Sequence, residues 1–216
     1  MNTFVDAFRF IGDNGHLILI KTGEHLQLSL TALGIALAVA LPVGLWLGHR
    51  HRGLFLALSV SSVGRALPSL VLIAFVTLTP LGIGFWNNVV ALTVLAVPSI
   101  LTNTYFGIEG VDRDVVEAAR GMGLSETQIL VRVELPLGLP LVLAGIRIAA
   151  IFVIATATIA AIAGGGGLGE IIVDQASYRL AGVVAASLWV SFLAFAAAGL
   201  LALLRKSLTP RVPRAD

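Results

Sequence analysis

The chain contains no cysteine, and only 12% of its 216 residues are charged. The lack of cysteine excludes disulfide bonds, thiolate catalysis and cysteine-ligated metals, but it leaves the compartment open. The charged fraction is about half the ~25% that is typical of soluble domains. Hydrophobic residues make up 57% of the chain and its mean hydropathy is +0.97, more apolar surface than a soluble fold of this size could bury. The composition therefore predicts an integral membrane protein.

Apolar runs of about 18 or more residues, the length that spans a bilayer as a helix, recur five times. The expected fold class is therefore an all-α membrane protein, with five transmembrane helices in a single domain over residues 1–216. The spans are placed at about residues 26–48, 54–78, 88–106, 141–163 and 183–204. Three prolines, Pro42, Pro68 and Pro98, lie inside or near these spans and are expected to kink the helices.

The basic residues outside the spans are unevenly divided between the two sides of the membrane. If the N-terminus is outside, the cytoplasmic segments hold Arg50, Arg52, Arg113, Arg120, Arg132, Arg205, Lys206, Arg211 and Arg214. The outer segments then hold only Arg9, Lys21 and Arg179. The positive-inside rule therefore predicts an outside N-terminus and a cytoplasmic C-terminus.

The first residues, MNTFVDAFRF, lack a basic region followed by an apolar core, so no cleaved signal peptide is expected. Phe4, Phe8 and Ile11 recur at helical spacing, which favours a short helix lying at the membrane interface. A disordered leader is the alternative interpretation of the same residues.

A charged segment, residues 109–136, lies between the third and fourth predicted spans, on the cytoplasmic side. It holds six of the twelve acids in the chain: Glu109, Asp112, Asp114, Glu117, Glu126 and Glu134. A DNA-binding helix-turn-helix is not expected, because the segment is net acidic and phosphate binding needs the opposite charge. A plain solvated loop and a docking surface for a cytoplasmic partner remain as alternatives.

The local pattern of this segment predicts two helices joined by a glycine turn. Asp114 and Glu117 have the spacing of a capping box, and the glycines at 121 and 123 should end the helix that follows. Ser125 and Gln128 form a second capping box at the start of the next helix. Pro136 is expected to end that helix, because the residue before a proline resists helical geometry.

The residues of this segment resemble a known motif. Glu117–Ala119 read EAA, and Gly123, Val133 and Leu135-Pro136 follow at the spacing EAA-x3-G-x9-I-x-LP of the EAA loop in permease subunits of ABC importers, with valine in place of isoleucine. The segments PSILTNTYFGIEGVD, LPLGLPLVLAGIRIAA and ATATIAAIAGGGGLG resemble the osmoprotectant branch of these permeases. The similarity covers roughly residues 60–199.

The resemblance implies a permease subunit in the bacterial plasma (inner) membrane that forms the pathway for a compatible solute. Glycine betaine, carnitine or choline is the expected solute, and another small solute such as an amino acid is the alternative. The implied partners are two copies of a cytoplasmic ATP-binding subunit, a second permease chain, identical or homologous, and an extracytoplasmic solute-binding protein. No cofactor is expected in this chain, and the chain is not expected to be an enzyme, since ATP and Mg²⁺ would be held by the ATPase.

The resemblance also assigns residues to the contact with the ATPase. The residues that match the EAA loop, or flank it, are Glu117, Ala118, Ala119, Gly121, Gly123, Leu135 and Pro136. In this family the helix that carries EAA inserts into a groove on the ATP-hydrolysing subunit. Alanines would keep that helix thin, and Gly123 would permit the turn after it.

The predicted spans contain no aspartate or glutamate in their cores. Ion-coupled carriers usually place carboxylates there, so this absence favours an external energy source, such as a separate ATPase, independently of the motif. An ion-coupled carrier or channel is the alternative from another class, and the EAA spacing argues against it. The few Trp and Tyr residues are scattered singly, which gives no aromatic cage for a quaternary ammonium group. Selection of the solute is therefore expected on a separate binding protein. A scaffold protein without transport is a further alternative.

Several residues near or within the spans are candidates for the pathway or a gate. The glycines Gly164, Gly165, Gly166, Gly167 and Gly169 are expected to break span four and let residues 168–178 fold back near an outer gate; a flexible outer loop is the alternative. The run is not a nucleotide loop, because Glu170 follows where a P-loop needs lysine. Arg65 lies about 16 Å from the inner end of span two. It either lines the pathway or a subunit interface, or snorkels inward.

The histidines lie near the ends of the spans. His49 and His51, with Arg50 and Arg52, are interpreted as an anchor at the inner membrane surface. A metal site is not expected there, because neither an acid nor a cysteine accompanies them in the sequence.

Overall fold

The computed structural model describes residues 3–208, apart from the side chains of Leu56, Val63 and Arg65, and this part of the chain is all-helical. The α-helices are α1 Thr3–Asp13, α2 Gly15–His49, α3 Leu54–Ala66, α4 Ser69–Thr77, α5 Phe85–Glu109, α6 Arg113–Gly121, α7 Glu126–Ile129, α8 Leu135–Ala160, α9 Leu168–Val173 and α10 Gln175–Leu208. A π-helical turn, Leu130–Glu134, and a 3₁₀ turn, Ala161–Ala163, flank α8. Arg211 and Arg214, two of the predicted cytoplasmic basic residues, lie outside the described part.

Four helical segments of the described chain are long and apolar enough to cross a membrane. They are Gly15–His49, Phe85–Glu109, Glu126–Ala163 and Gln175–Leu208. Each contains one of the predicted spans: the first, third, fourth and fifth. The four segments confirm a polytopic, all-α architecture.

The second predicted span, residues 54–78, is not one continuous helix. It is divided into α3 and α4, which are too short to cross a bilayer separately at 1.5 Å per residue. Pro68 adopts an extended conformation between them, with φ −63° and ψ 128°. Proline cannot donate a backbone hydrogen bond and disfavours helical geometry in the residue before it. The proline therefore breaks this helix, whereas Pro42 and Pro98 lie inside continuous helices.

The core of the fold is formed by α2, α5 and α8. Its buried side chains are largely small or branched, including Ala32, Ala36 and Ala40 of α2 and Ala149 and Ala157 of α8. Close approach of α5 and α8 depends on Gly107 and Gly138, because a Cβ at position 138 would collide with the backbone of Gly107. Since lipid supplies no hydrophobic drive between helices, such small-residue contacts are what hold membrane helices together.

The N-terminal residues form a helix rather than a disordered leader. In α1, Phe4 and Phe8 are exposed, while the ring of Phe10 meets that of Tyr178 edge-on at 6.3 Å. The same ring approaches Gly182 of α10, where a Cβ would lie 3.1 Å from Phe10. The first helix is thus packed against the beginning of the last one.

Candidate functional site

The first helix of the EAA loop, α6, is capped two residues earlier than the sequence predicts. The carboxylate of Asp112 accepts a hydrogen bond from the backbone N–H of Asp114 at 2.9 Å, and the helix begins at Arg113. The predicted capping box of Asp114 and Glu117 is therefore wrong, since both residues already lie inside the helix. Asp114 contributes instead as an acid in the first turn, where the helix dipole favours negative charge.

The turn after α6 depends on Gly123. Its φ of +85° lies in the left-handed region, which a residue with a Cβ rarely adopts. Gly121 is the last residue of α6 itself, so the predicted end of this helix is confirmed. The second capping box is also confirmed: Ser125 N–H donates to Gln128 Oε1 at 2.8 Å, and Gln128 N–H donates to Ser125 Oγ at 3.4 Å.

The EAA loop has a small apolar core of its own. Val116 and Ala119 of α6 pack with Val111 and Ile129, all of them buried. Glu117, Ala118, Gly121, Met122 and Gly123 are exposed at the end of α6, and we call this group the α6 tip. Met122 is 75% exposed, a large apolar side chain that the motif does not mark.

The other motif residues lie apart from the α6 tip. Ala119 faces the small core beneath it, and Leu135 and Pro136 are half-buried at the start of α8. Among the predicted EAA-loop residues, Glu117, Ala118, Gly121 and Gly123 are therefore the ones exposed on α6 and the turn that follows it.

The second helix of the EAA loop does not end at Pro136, contrary to the prediction. Helical backbone continues from Glu126 through the π turn into α8, as one segment that reaches Ala163. The N–H of Leu135 bonds to the carbonyl of Leu130, five residues back. Pro136, which has no N–H, follows where the bonding pattern changes from the wide π turn to the α-helix. The predicted helix end is thus replaced by continuous helical backbone between the loop and a membrane helix.

His49, at the end of α2, contacts two carboxylates of the EAA loop. Its Nδ1 lies 2.6 Å from Glu134 Oε2, and its Nε2 lies 3.4 Å from Glu126 Oε2. Glu134 is 1% exposed, so this contact is buried. The expectation that no acid accompanies this histidine is wrong: the acids are 77 and 85 residues away in sequence, beyond the reach of any local spacing signal.

The carboxylate of Glu126 that faces His49 is also held by Arg120 of α6. Arg120 donates to its two carboxylate oxygens, from Nε at 3.0 Å and from Nη2 at 3.1 Å. These hydrogen bonds raise the pKa of the Arg120 guanidinium further above its usual value. The described part of the chain contains no group of three His, Cys, Asp or Glu side chains that could hold a metal ion.

The glycine run after α8 folds the chain back on itself. Gly164, Gly166 and Gly167 have positive φ angles of 71°, 71° and 76°. The short helix α9 then returns against α8, and a Cβ at Gly169 would collide with the carbonyl oxygen of Thr158. The predicted fold-back of residues 168–178 is present in α9, and its role as a gate remains a prediction.

Three charged side chains at this end of the fold were missed by sequence reasoning. Glu24 Oε2 accepts a hydrogen bond from Gly167 N–H at 2.9 Å. Lys21 Nζ lies 2.9 Å from the same carboxylate and also pairs with Glu170 of α9. Only the i, i+3 spacing of Lys21 and Glu24 could have signalled part of this cluster. The glycine run is therefore tied to α2.

Arg65 and the scattered Trp and Tyr residues take no part in the contacts of His49 or of Glu24, as far as the structure describes them. Arg65 lies in α3, and its side chain is outside the described residues. Described aromatic contacts are simple pairs, such as Phe85 with Trp86 and Trp189 with Phe192. The scattered distribution of Trp and Tyr in the sequence is thus retained in the fold.

Comparison with known proteins assigns the chain to a family. Residues 40–212 match the family model for the binding-protein-dependent transport system inner membrane component. The carnitine transport permease protein OpuCB of Listeria monocytogenes is 37% identical over 95% of this chain and 94% of its own length. The glycine betaine/carnitine/choline transport system permease protein OpuCB of Bacillus subtilis is 36% identical over 94% of this chain and 93% of its own length.

Solved structures share the fold at lower sequence identity. A chain of the inward-facing MetNI methionine ABC transporter aligns with a TM-score of 0.77 at 22% identity, covering 90% of this chain and 97% of that one. A chain of an amino acid ABC transporter with histidines aligns at 0.71 and 19% identity, covering 91% and 96%. The chain belongs to the binding-protein-dependent transport system inner membrane components, the multi-pass permeases of bacterial ABC importers.

Proposed function

We propose that the chain forms the translocation pathway of an ATP-driven importer for a quaternary ammonium osmoprotectant such as glycine betaine, carnitine or choline. The observation that carries this proposal is the 36–37% identity, over nearly the whole chain, to permeases named for these solutes. An amino acid is the second candidate solute. It is less well supported, because the methionine and amino acid transporters share 19–22% identity and therefore only the fold.

For the topology, we propose five crossings within a single permease domain over residues 1–216. In this arrangement α3 and α4 together make the second crossing, broken at Pro68. The N-terminus lies outside and the C-terminus in the cytoplasm, which places the EAA loop on the cytoplasmic side. The glycine run and the cluster around Glu24 are then on the outer side.

For the partners, we propose that the α6 tip seats on a cytoplasmic ATP-binding subunit. Its exposed residues are small apart from Glu117 and Met122, so the helix end is thin enough to enter a groove, and Met122 supplies an apolar contact. The complete importer contains two copies of that subunit, which hold ATP and Mg²⁺, and a second permease chain, identical or homologous. An extracytoplasmic protein binds the solute and delivers it to the outer face.

At the outer side, we propose that the glycine run acts as part of a gate. Within Gly164–Gly167, three glycines have φ angles in the left-handed region, which lets the chain reverse direction. The lack of a side chain at Gly169 lets α9 lie against α8. Arg65 is assigned to the pathway on the sequence argument alone.

Pull-down of the ATPase subunit tests the docking proposal. Glu117→Arg places the opposite charge on the α6 tip, and Gly123→Leu forces a bulky side chain into a backbone angle that favours glycine. Each should reduce ATPase binding and abolish uptake of labelled glycine betaine into proteoliposomes. Asp13→Arg, an exposed charge reversal at the end of α1, is the matched control and should leave both unchanged. Wild-type binding by Glu117→Arg and Gly123→Leu would contradict the docking surface.

Competition assays separate the two candidate solutes. In proteoliposomes loaded with ATP, unlabelled choline, carnitine and glycine betaine should compete for uptake in the presence of the cognate binding protein. Competition by methionine alone would favour the amino acid alternative.

A further inference from the structure

A continuous line of polar contacts joins the α6 tip to membrane helix α2. Arg120, one residue before Gly121, bonds to Glu126, and Glu126 faces Nε2 of His49. The other ring nitrogen of His49 contacts the buried carboxylate of Glu134. The line starts at an exposed arginine and ends at a glutamate that is 1% exposed.

The contacts of His49 link side chains of the loop to the end of α2. A cavity of about 150 Å³ lies between them, with His49 and Glu134 on its walls together with Glu117 and Arg120 of α6. The backbone of α2 makes little contact with α6 or α7; it packs on α5, where Gly48 lies against Ile108, and on α8. The helices α6 and α7 therefore reach the end of α2 through the His49 side chain rather than through backbone packing of their own.

The burial of Glu134 is costly unless its partner is retained. Removing one member of a buried charged pair leaves an uncompensated group, whereas the pair itself adds little net stability over an apolar replacement. The arrangement is thus better suited to fixing the position of α2 relative to the loop than to stabilising the fold.

We propose that His49 is a positioning residue that transmits displacement of the α6 tip to α2, through Arg120 and Glu126 on one side and Glu134 on the other. The inference rests on the proposed docking of the ATPase at the α6 tip, since that partner supplies the displacement. In this arrangement, the loop drives two membrane helices at once: α8 through its continuous backbone and α2 through the histidine.

The test uses the complete importer in proteoliposomes, with ATPase, binding protein and both permease chains, and measures solute taken up per ATP hydrolysed. His49→Ala should lower this ratio about 10-fold, within the usual range of coupling between sites, while pull-down of the ATPase stays within about twofold of wild type. His16→Ala, an exposed histidine at the opposite end of the same helix, is the matched control and should change neither.

Two further comparisons separate transmission from a purely structural role. If His49 and Glu134 act as a unit, the double variant His49→Ala/Glu134→Ala should lose no more coupling than His49→Ala alone. Arg120 and Glu126 are both exposed, so exchanging them should not threaten folding. The double variant Arg120→Glu/Glu126→Arg keeps an ion pair between these positions but removes the carboxylate that faces His49. The amount of solute taken up per ATP hydrolysed should therefore be below the wild-type value in this double variant, as in His49→Ala.

Three results would overturn the proposal. They are wild-type uptake per ATP in His49→Ala, a larger loss of coupling in His49→Ala/Glu134→Ala than in His49→Ala, or wild-type uptake per ATP in Arg120→Glu/Glu126→Arg. Loss of ATPase binding in His49→Ala would overturn it as well, because the histidine would then shape the docking surface. Failure of the docking proposal is seen separately, as wild-type ATPase binding by Glu117→Arg. If His49→Ala does not assemble, Arg120→Glu/Glu126→Arg decides, since both of its positions are exposed.

Discussion

Glu24 of α2 and the backbone N–H of Gly167 are joined by a 2.9 Å hydrogen bond across 143 residues of sequence. The same carboxylate pairs with Lys21, which also holds Glu170 of α9. A loop of consecutive glycines, whose unfolded conformational freedom is large, is thereby fixed at one point to a long helix. The cluster makes this end of the fold more rigid than its sequence suggests.

Glu24→Ala should loosen this glycine loop with a modest loss of stability. A hydrogen bond to a charged group contributes about 1.5–3 kcal/mol, and the 39% exposure of the Glu24 side chain reduces this to about 1 kcal/mol. The absence of cysteine allows a clean assay: Ile171→Cys, buried in α9, should react with a maleimide faster in the Glu24→Ala background. Val173→Cys, already exposed, should react equally in both backgrounds, and equal rates at position 171 would show that the hydrogen bond does not hold α9.

Gly123→Ala and Gly121→Ala should change stability in opposite directions. Gly123 has φ +85°, so alanine there is strained and should cost about 1 kcal/mol. Gly121 is helical with open space around its Cα, so alanine should stabilise α6 by up to about 1 kcal/mol. Thermal unfolding of the purified chain in detergent, followed by circular dichroism, measures both. Equal shifts of the two melting temperatures would contradict the assigned roles.

Gly138→Ala should weaken the packing of α5 on α8. A methyl group at this position collides with the backbone of Gly107, and such overpacking costs about 1–3 kcal/mol. Gly199→Ala on α10, where a Cβ meets nothing within 4 Å, is the control and should be neutral or slightly stabilising. A wild-type melting temperature for Gly138→Ala would mean that the two helices do not pack this closely.

Asp112→Ala should destabilise α6 more than Asp114→Ala. Asp112 is the residue whose carboxylate caps the helix, and losing such a cap costs about 1 kcal/mol. Asp114 lies in the first turn and contributes only through the helix dipole, about 0.3–1 kcal/mol. Hydrogen exchange of the α6 amides distinguishes the two variants. Greater loss of protection in Asp114→Ala would favour the capping box that the sequence spacing suggests.

The parts of the fold that sequence could predict are those set by local pattern. Apolar length located four long helices, and the pair Ser125 and Gln128 located the start of α7, because both depend on residues within a few turns of each other. At Pro68 the pattern predicted a disturbance but could not distinguish a kink from a break. At Pro136 the general rule was overridden by the π turn, whose wider bonding pattern no residue in the sequence announces.

The candidate site was only partly predictable for a similar reason. The EAA spacing located the α6 tip, which is continuous in sequence. The contacts of His49 with Glu134 and of Glu24 with Gly167 join residues 85 and 143 positions apart, and they exist only once α2, α8 and the glycine run are packed together. The charged residues and the absence of cysteine limit the kinds of side-chain contact that such sites can contain. The packing of the helices decides which side chains come into contact.

The uninterrupted segment from Glu126 to Ala163 has a mechanical consequence. Its 38 residues make a lever about 57 Å long at 1.5 Å per residue, with the EAA loop at one end and the glycine run at the other. A tilt of about 5° at the loop would swing the far end by about 5 Å over that length. Along a segment of this length, a small change of angle at the loop thus corresponds to a displacement of about one helical pitch at the glycine run.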